Sequence, residues 1–167
     1  YGENKVQEAN QKWNEIKKEN KDIKLHLIGR LQTNKVKIAI KLFDYIHSLD
    51  SKKLADKINK VQKELNLKTK LFIQVNVGDE NQKSGVSIDN VFEFYDYCLN
   101  IDLNIIGLMC IPPFNQDPIK FFKKMNDLNN RLGLNELSMG MSSDYIDAVG
   151  YGSTFLRIGT SIFGKRG

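Results

Sequence analysis

At 167 residues the chain is long enough for one domain with a substantial core, and 41% hydrophobic against 27% charged residues argues for a folded, soluble protein over a disordered one. The formal charge of +5 rests mostly on lysines spread over the predicted helices, the pattern of a solvated surface and not of a nucleic-acid footprint. No apolar run reaches the length of a membrane span and no signal peptide opens the sequence, so the expected compartment is the cytoplasm by elimination, with Cys98 and Cys110 as buried, reduced thiols.

Val6, Ala9, Trp13 and Ile16 fall at helical spacing and predict a helix from Asn4 to about Asn20. Leu25 to Gly29 reads as a short buried strand. Val36, Ile40 and Phe43 share one face of a helix over 34–43, and Tyr45 to Ser48 is a strand. Ser51 is suited to cap a helix striped by Leu54, Ile58, Val61 and Leu65. Leu71 to Val77, rich in β-branched and apolar residues, is the clearest strand. Ser87 opens a helix with Val91, Phe92, Tyr95 and Leu99 inward. Ile105 to Met109 is a strand stopped by Pro112-Pro113, and a helix through Phe122, Met125, Leu128 and Leu132 ends at Gly133. Leu137 to Met139 is a strand, a short helix follows Ser142, Ser143 and Asp144, and Phe155 to Gly159 is the last strand.

Helices and strands alternate strictly, and the strands are near-continuous apolar runs, as parallel strands covered on both faces are. Such alternation means a doubly wound sheet or a (β/α) barrel. About six strands are present against the eight of a closed TIM barrel. No G-x-G-x-x-G follows a strand, which weakens the dinucleotide-binding alternative.

Ligands of α/β folds bind at the C-terminal ends of the strands. Polar residues gather there after Gly29, after His47, in Asn81 to Gly85, in Ser138 to Asp144, and in Arg157 to Ser161. Gly159-Thr160 offers backbone N–H groups and a hydroxyl at a strand end, and Ser142 and Ser143 stand where a helix begins, so together they can form a phosphate cup. The plainer alternative makes Ser142 or Ser143 an N-cap and Gly159 a turn. Arg157 shares a strand face with Gly159 and needs a partner: either a structural carboxylate or a ligand atom. His26 and His47 read as hydrogen-bonded core histidines without metal spacing, Trp13 and Phe121-Phe122 as packing, and Lys83 as either solvated or reaching over the site.

The blocks Tyr1 to Glu8, His26 to Lys35, Ile46 to Asp50, Gln74 to Asn76, Lys83 to Gly85, Gly107 to Met109, Leu137 to Ser142 and Arg157 to Gly164 resemble, in order and spacing, the YggS/PROSC family of pyridoxal phosphate homeostasis proteins. The resemblance spans essentially the whole chain. It implies a single-domain TIM barrel over 1–167, like the N-terminal domain of alanine racemase, that binds pyridoxal 5′-phosphate as a carrier or buffer with no established turnover. It implies that Ser142 and the backbone of Gly159 and Thr160 hold the phosphate, that Arg157 faces the pyridine nitrogen, and that Asn4 and Met141 lie by the cofactor. It places the Schiff-base lysine on a first strand upstream of Tyr1, so the expectation is a barrel truncated at its N-terminus that binds the cofactor weakly and acts as a monomer. The rival reading is a fold-type III racemase or decarboxylase, a class that normally adds a second domain.

Overall fold

The computed structural model describes residues 1–80 and 84–164. The elements run β1 (Gly2–Glu3), α1 (Val6–Glu19), β2 (His26–Leu27), a 3-10 turn (Thr33–Lys35), α2 (Val36–Leu42), β3 (Tyr45–Leu49), α3 (Lys52–Leu65), β4 (Lys70–Asn76), β5 (Val86–Ser87), a second 3-10 turn (Ile88–Asn90), α4 (Val91–Asn100), β6 (Ile105–Cys110), α5 (Ile119–Arg131), β7 (Glu136–Met141), α6 (Tyr145–Gly150), β8 (Phe155–Arg157) and α7 (Thr160–Phe163).

Every strand pair is parallel, and the sheet order follows the chain: β1-β2-β3-β4-β6-β7-β8, with β5 set against the end of β4. There is no central switch point, which removes the doubly wound alternative. Phe155 on β8 meets His26 of β2, Tyr45 and His47 of β3 and Phe72 of β4, with ring centroids 5.3–5.9 Å apart. Those strands are far apart in the sheet order, so the sheet has curled until its last strand faces its early ones across a common interior. The fold is a TIM-like barrel, nearly closed, whose edges are β1 and β8.

Local chemistry accounts for both ends of α3 and the end of α5. Ser51 caps α3, its Oγ accepting the Leu54 N–H at 3.4 Å, and Asn66 ends that helix in the left-handed region at φ 51°. Gly133 follows α5 at φ 67°. Asn129 of α5 ties helix to sheet: its Oδ1 accepts the Leu108 N–H at 3.2 Å and its Nδ2 donates to the Leu134 carbonyl at 2.8 Å. The apolar stripes of α1, α2, α3 and α5 cover the outside of the sheet and bury Trp13, Ile40, Ile58 and Phe122.

Four expectations are corrected. The sheet has more than the six strands the hydrophobic pattern predicts, because β1 and β5 are two residues long and too short to show a period. On α4 the inward residues are Val91, Phe94 and Cys98, with Phe92 and Tyr95 partly buried and Leu99 47% exposed. A 3.6-residue period fits both sets, so periodicity alone does not fix which face turns inward. Ile16 likewise is not buried, at 38% exposure near the end of α1. The last strand stops at Arg157 and leaves Ile158 and Gly159 as irregular backbone leading into α7.

Candidate anion-binding site at the barrel rim

The rim is shaped by an irregularity between β7 and β8. Ser138 pairs with Phe155 and Met141 with Arg157, so β7 carries one more residue than β8 over the same span. Gly140 lies in the slip at φ 92°, and a Cβ there would sit 2.6 Å from the Ala148 Cβ and 3.0 Å from Leu156. Glycine alone allows both the turn and the close seat of α6 on β7. The Asp144 carboxylate accepts the Met141 N–H at 2.6 Å and holds the turn that follows. Ser142 is thereby aimed at the start of α7, where its Oγ accepts the N–H groups of Gly159 at 3.3 Å and Ser161 at 3.4 Å. Two long bonds converge on one oxygen. The hydroxyl and these N–H groups gather at one corner of the rim, as in a backbone N–H cup. Ser142 is therefore not the cap of α6; that position belongs to Asp144, which makes no side-chain capping bond.

Arg157 is partly buried beneath this cup. Its Nη1 donates to the Ser138 carbonyl at 2.9 Å and the Ser138 Oγ at 2.8 Å, and its Nη2 donates to the Cys110 carbonyl at 2.7 Å. All of these acceptors are neutral. Among the described residues no contact ion pair involves Arg157, although the Asp144 carboxylate acts on it through space. Its Nε–H and second Nη2–H have no protein acceptor there. Burial pushes the guanidinium pKa down, yet arginine stays charged at any ordinary pH. A cation whose hydrogen bonds all go to neutral acceptors, with the Asp144 carboxylate acting only through space, retains charge that an anionic ligand can meet.

Of the other sequence-chosen residues, Met141 pairs with Arg157, and Thr160 sits exposed between the two cup amides, its carbonyl accepting the Gly164 N–H. Asn4 is exposed after β1. Its backbone presses on Gly29, where a Cβ would lie 2.1 Å from the Asn4 carbonyl oxygen, and no hydrogen bond among the described residues links its side chain to the β7–β8 group. Lys83 lies outside the described residues.

Taken one at a time, His26 and His47 give no sign of acting together. The structure joins them: His26 Nδ1 is 3.0 Å from His47 Nε2, and His47 Nδ1 is 2.9 Å from the Ser138 Oγ. The parity of the strands carries a signal for this, since His26 pairs with Tyr45 and His47 lies two residues beyond on the same face. Burial lowers the His47 pKa to about 2 and the His26 pKa to about 4, so both rings are neutral near pH 7. Burial also raises both the Cys98 and Cys110 thiols to about 12, which makes them inert. The described residues include no cluster of three or more His, Cys, Asp or Glu able to hold a metal, and no helix long and apolar enough to cross a membrane.

A parallel barrel whose last strands end in converging N–H groups, a hydroxyl and an arginine belongs to the class of (β/α) barrels that carry their ligand sites at the strand ends. Residues 1–167 match the family model for the alanine racemase N-terminal domain, and the chain belongs to that family. Within it the chain groups with the pyridoxal phosphate homeostasis proteins. It is 43% identical to that of Aquifex aeolicus, covering 99% of this chain and 76% of the relative, and 31% identical to that of Escherichia coli K12, covering 99% and 75%. Among solved structures, PipY of Synechococcus elongatus with PLP bound superposes with a TM-score of 0.88 at 34% identity, covering 98% of this chain and 80% of that one. Alanine racemase of Clostridium difficile, at 15% identity and a TM-score of 0.76, shares the fold.

Proposed function

We propose that this chain binds pyridoxal 5′-phosphate and serves to hold and release it, without amino-acid turnover of its own. The observation that carries the reading is the cup at Ser142, Gly159 and Ser161 at the end of the strand that carries Arg157, a cation with spare N–H groups and no carboxylate in contact. The relatives' common name and the PLP-bound PipY structure support it.

The residues present fit the group. Ser142 and the N–H groups from Gly159 through Ser161 would take the phosphate, Arg157 would face the pyridine nitrogen, and Met141 and Asn4 would flank the cofactor. When bound, pyridoxal phosphate supplies an aldehyde that condenses with amines and a ring that draws electrons from them. Arg157 bears on that second property. A fixed positive charge at the ring nitrogen disfavours its protonation and makes the ring a poorer electron sink. The site thus favours retention of the cofactor over carbanion chemistry. Residues 1–167 form one domain in this reading.

Equilibrium dialysis of the 167-residue chain with pyridoxal phosphate tests the proposal. Saturable one-to-one binding, competed by inorganic phosphate and weakened about tenfold or more by Ser142→Ala, is expected. Exchange of the α-proton of added amino acids into deuterated water should stay at background. Binding indifferent to Ser142→Ala and to Arg157→Met would overturn the assignment of the site, and catalysed α-proton exchange would overturn the carrier role.

A further inference from the structure

Beneath Arg157 a chain of polar groups crosses the barrel interior from β8 through β7 and β3 to β2. It runs from the guanidinium to the Ser138 Oγ at 2.8 Å, to His47 Nδ1 at 2.9 Å, and from His47 Nε2 to His26 Nδ1 at 3.0 Å. Ser138 and His47 are sealed from solvent. The rings are clamped flat: His47 stacks on Phe72 and His26 on Tyr45, each with centroids 4.2 Å apart, and the Phe155 ring packs against both histidines.

The direction of this chain follows from which groups can only donate. A guanidinium has no acceptor, so the Ser138 oxygen accepts from Arg157. The single hydroxyl proton then goes to the one other neighbour, the bare Nδ1 of His47. That places the His47 proton on Nε2, which donates to a bare Nδ1 of His26, whose own proton is on Nε2. The reverse assignment would leave the Ser138 proton without an acceptor among the described residues, in a sealed interior where an unmade bond is costly. Each link donates away from the cation, so the bonds polarise one another.

We propose that His47 and His26 are positioning residues for Arg157. As neutral Nε2–H rings they keep the Ser138 hydroxyl turned so that its oxygen faces the guanidinium. With Nη1 pinned on Ser138 and one Nη2 hydrogen on the Cys110 carbonyl, the remaining N–H groups hold a fixed direction. That these N–H groups face bound pyridoxal phosphate rests on the functional reading above; the hydrogen-bond directions do not.

The test uses the full chain, with isotope-labelled histidine and arginine and pyridoxal phosphate as the probe. Long-range proton–nitrogen correlation at pH 7 should show a bare Nδ1 and a protonated Nε2 for both histidines; a protonated Nδ1 on His47 would overturn the proposal. His47→Phe keeps the stacking ring but removes the acceptor, whereas His47→Asn places an amide oxygen where Nδ1 stood. In His47→Phe the Arg157 Nη1 signals should shift and broaden as the Ser138 hydroxyl is released, the bonds to the Ser138 and Cys110 carbonyls remaining, and the dissociation constant for pyridoxal phosphate should rise about tenfold, the scale of one lost hydrogen bond to a charged group. In His47→Asn both readouts should stay near the wild type. Should His47→Phe fail to fold, Ser138→Ala removes the same link and is expected to shift and broaden the Arg157 Nη1 signals in the same way. Equal losses of affinity in His47→Phe and His47→Asn that track their loss of stability, or Arg157 signals unchanged in His47→Phe or Ser138→Ala, would reduce the histidines to core packing. Absence of saturable binding in the wild type would strike the functional reading and leave the tautomer and arginine signals to decide the positioning role.

Discussion

Lowering the pH from 7 to 5 should destabilise this fold well before its carboxylates titrate. In the folded protein burial holds His47 at about 2 and His26 at about 4, against 6.5 for a free imidazole. Between those values the unfolded chain binds protons that the folded chain refuses, so stability is fully present above pH 6.5 and is lost as the pH falls below it. For His47, sealed at 1% exposure, the linkage loss at pH 5 relative to pH 7 is about 2 kcal/mol. His26 is only partly buried and adds less, for a total of about 3 kcal/mol. Asp44, whose carboxyl is held below 3.8 by its bonds to Lys17 and the Leu25 N–H despite the opposing effect of burial, loses its contribution only at lower pH. Urea unfolding at pH 7 and pH 5, followed by far-ultraviolet circular dichroism, measures the difference. In His47→Asn, which cannot titrate, the pH-dependent loss should shrink by about 2 kcal/mol. Equal stability of the wild type at the two pH values, or an undiminished loss in His47→Asn, would refute the reasoning.

Gly140→Ala should cost more than about 1 kcal/mol, because its φ of 92° disfavours a side chain and the new Cβ meets Ala148; the amide signals of Gly159 and Ser161 should move with the displaced Ser142. Asn129→Ala should cost about 2 kcal/mol in urea unfolding, since it strips partners from the Leu108 N–H and the Leu134 carbonyl. Cys98 and Cys110 should resist a thiol reagent at pH 8 in the folded chain and react only at the rate of opening, as both are buried and raised to about 12.

The long strands and amphipathic helices were legible because their side chains face one environment along their length. β4 with its apolar run and α3 with its Leu54-Ile58-Val61 stripe are examples. The rim was legible in part: Ser142, Arg157 and Gly159 stand out because a hydroxyl, a charge and a glycine interrupt apolar strand ends, and the structure brings Ser142 to Gly159. What the sequence concealed is what depends on curvature. The contact of Phe155 with Phe72, and the joining of His26 and His47 to Ser138 and so to Arg157, exist only once β8 has swung round to face β2 through β4. Local pattern carries no record of that closure. Two-residue strands such as β1 are hidden for a simpler reason, since they hold no full period.

The central claim is that the phosphate of pyridoxal phosphate seats in the cup between Ser142 and the start of α7, and amide signals of the labelled chain titrated with pyridoxal phosphate test it most directly. The account predicts the largest shifts at Gly159, Thr160 and Ser161, with smaller ones at Met141 and Ser142 and the same Gly159–Ser161 set moved by inorganic phosphate alone. Shifts centred instead on the cleft formed by Thr33, Asn34, Lys53, Lys57 and Lys60, with Gly159 and Ser161 unmoved, would contradict it.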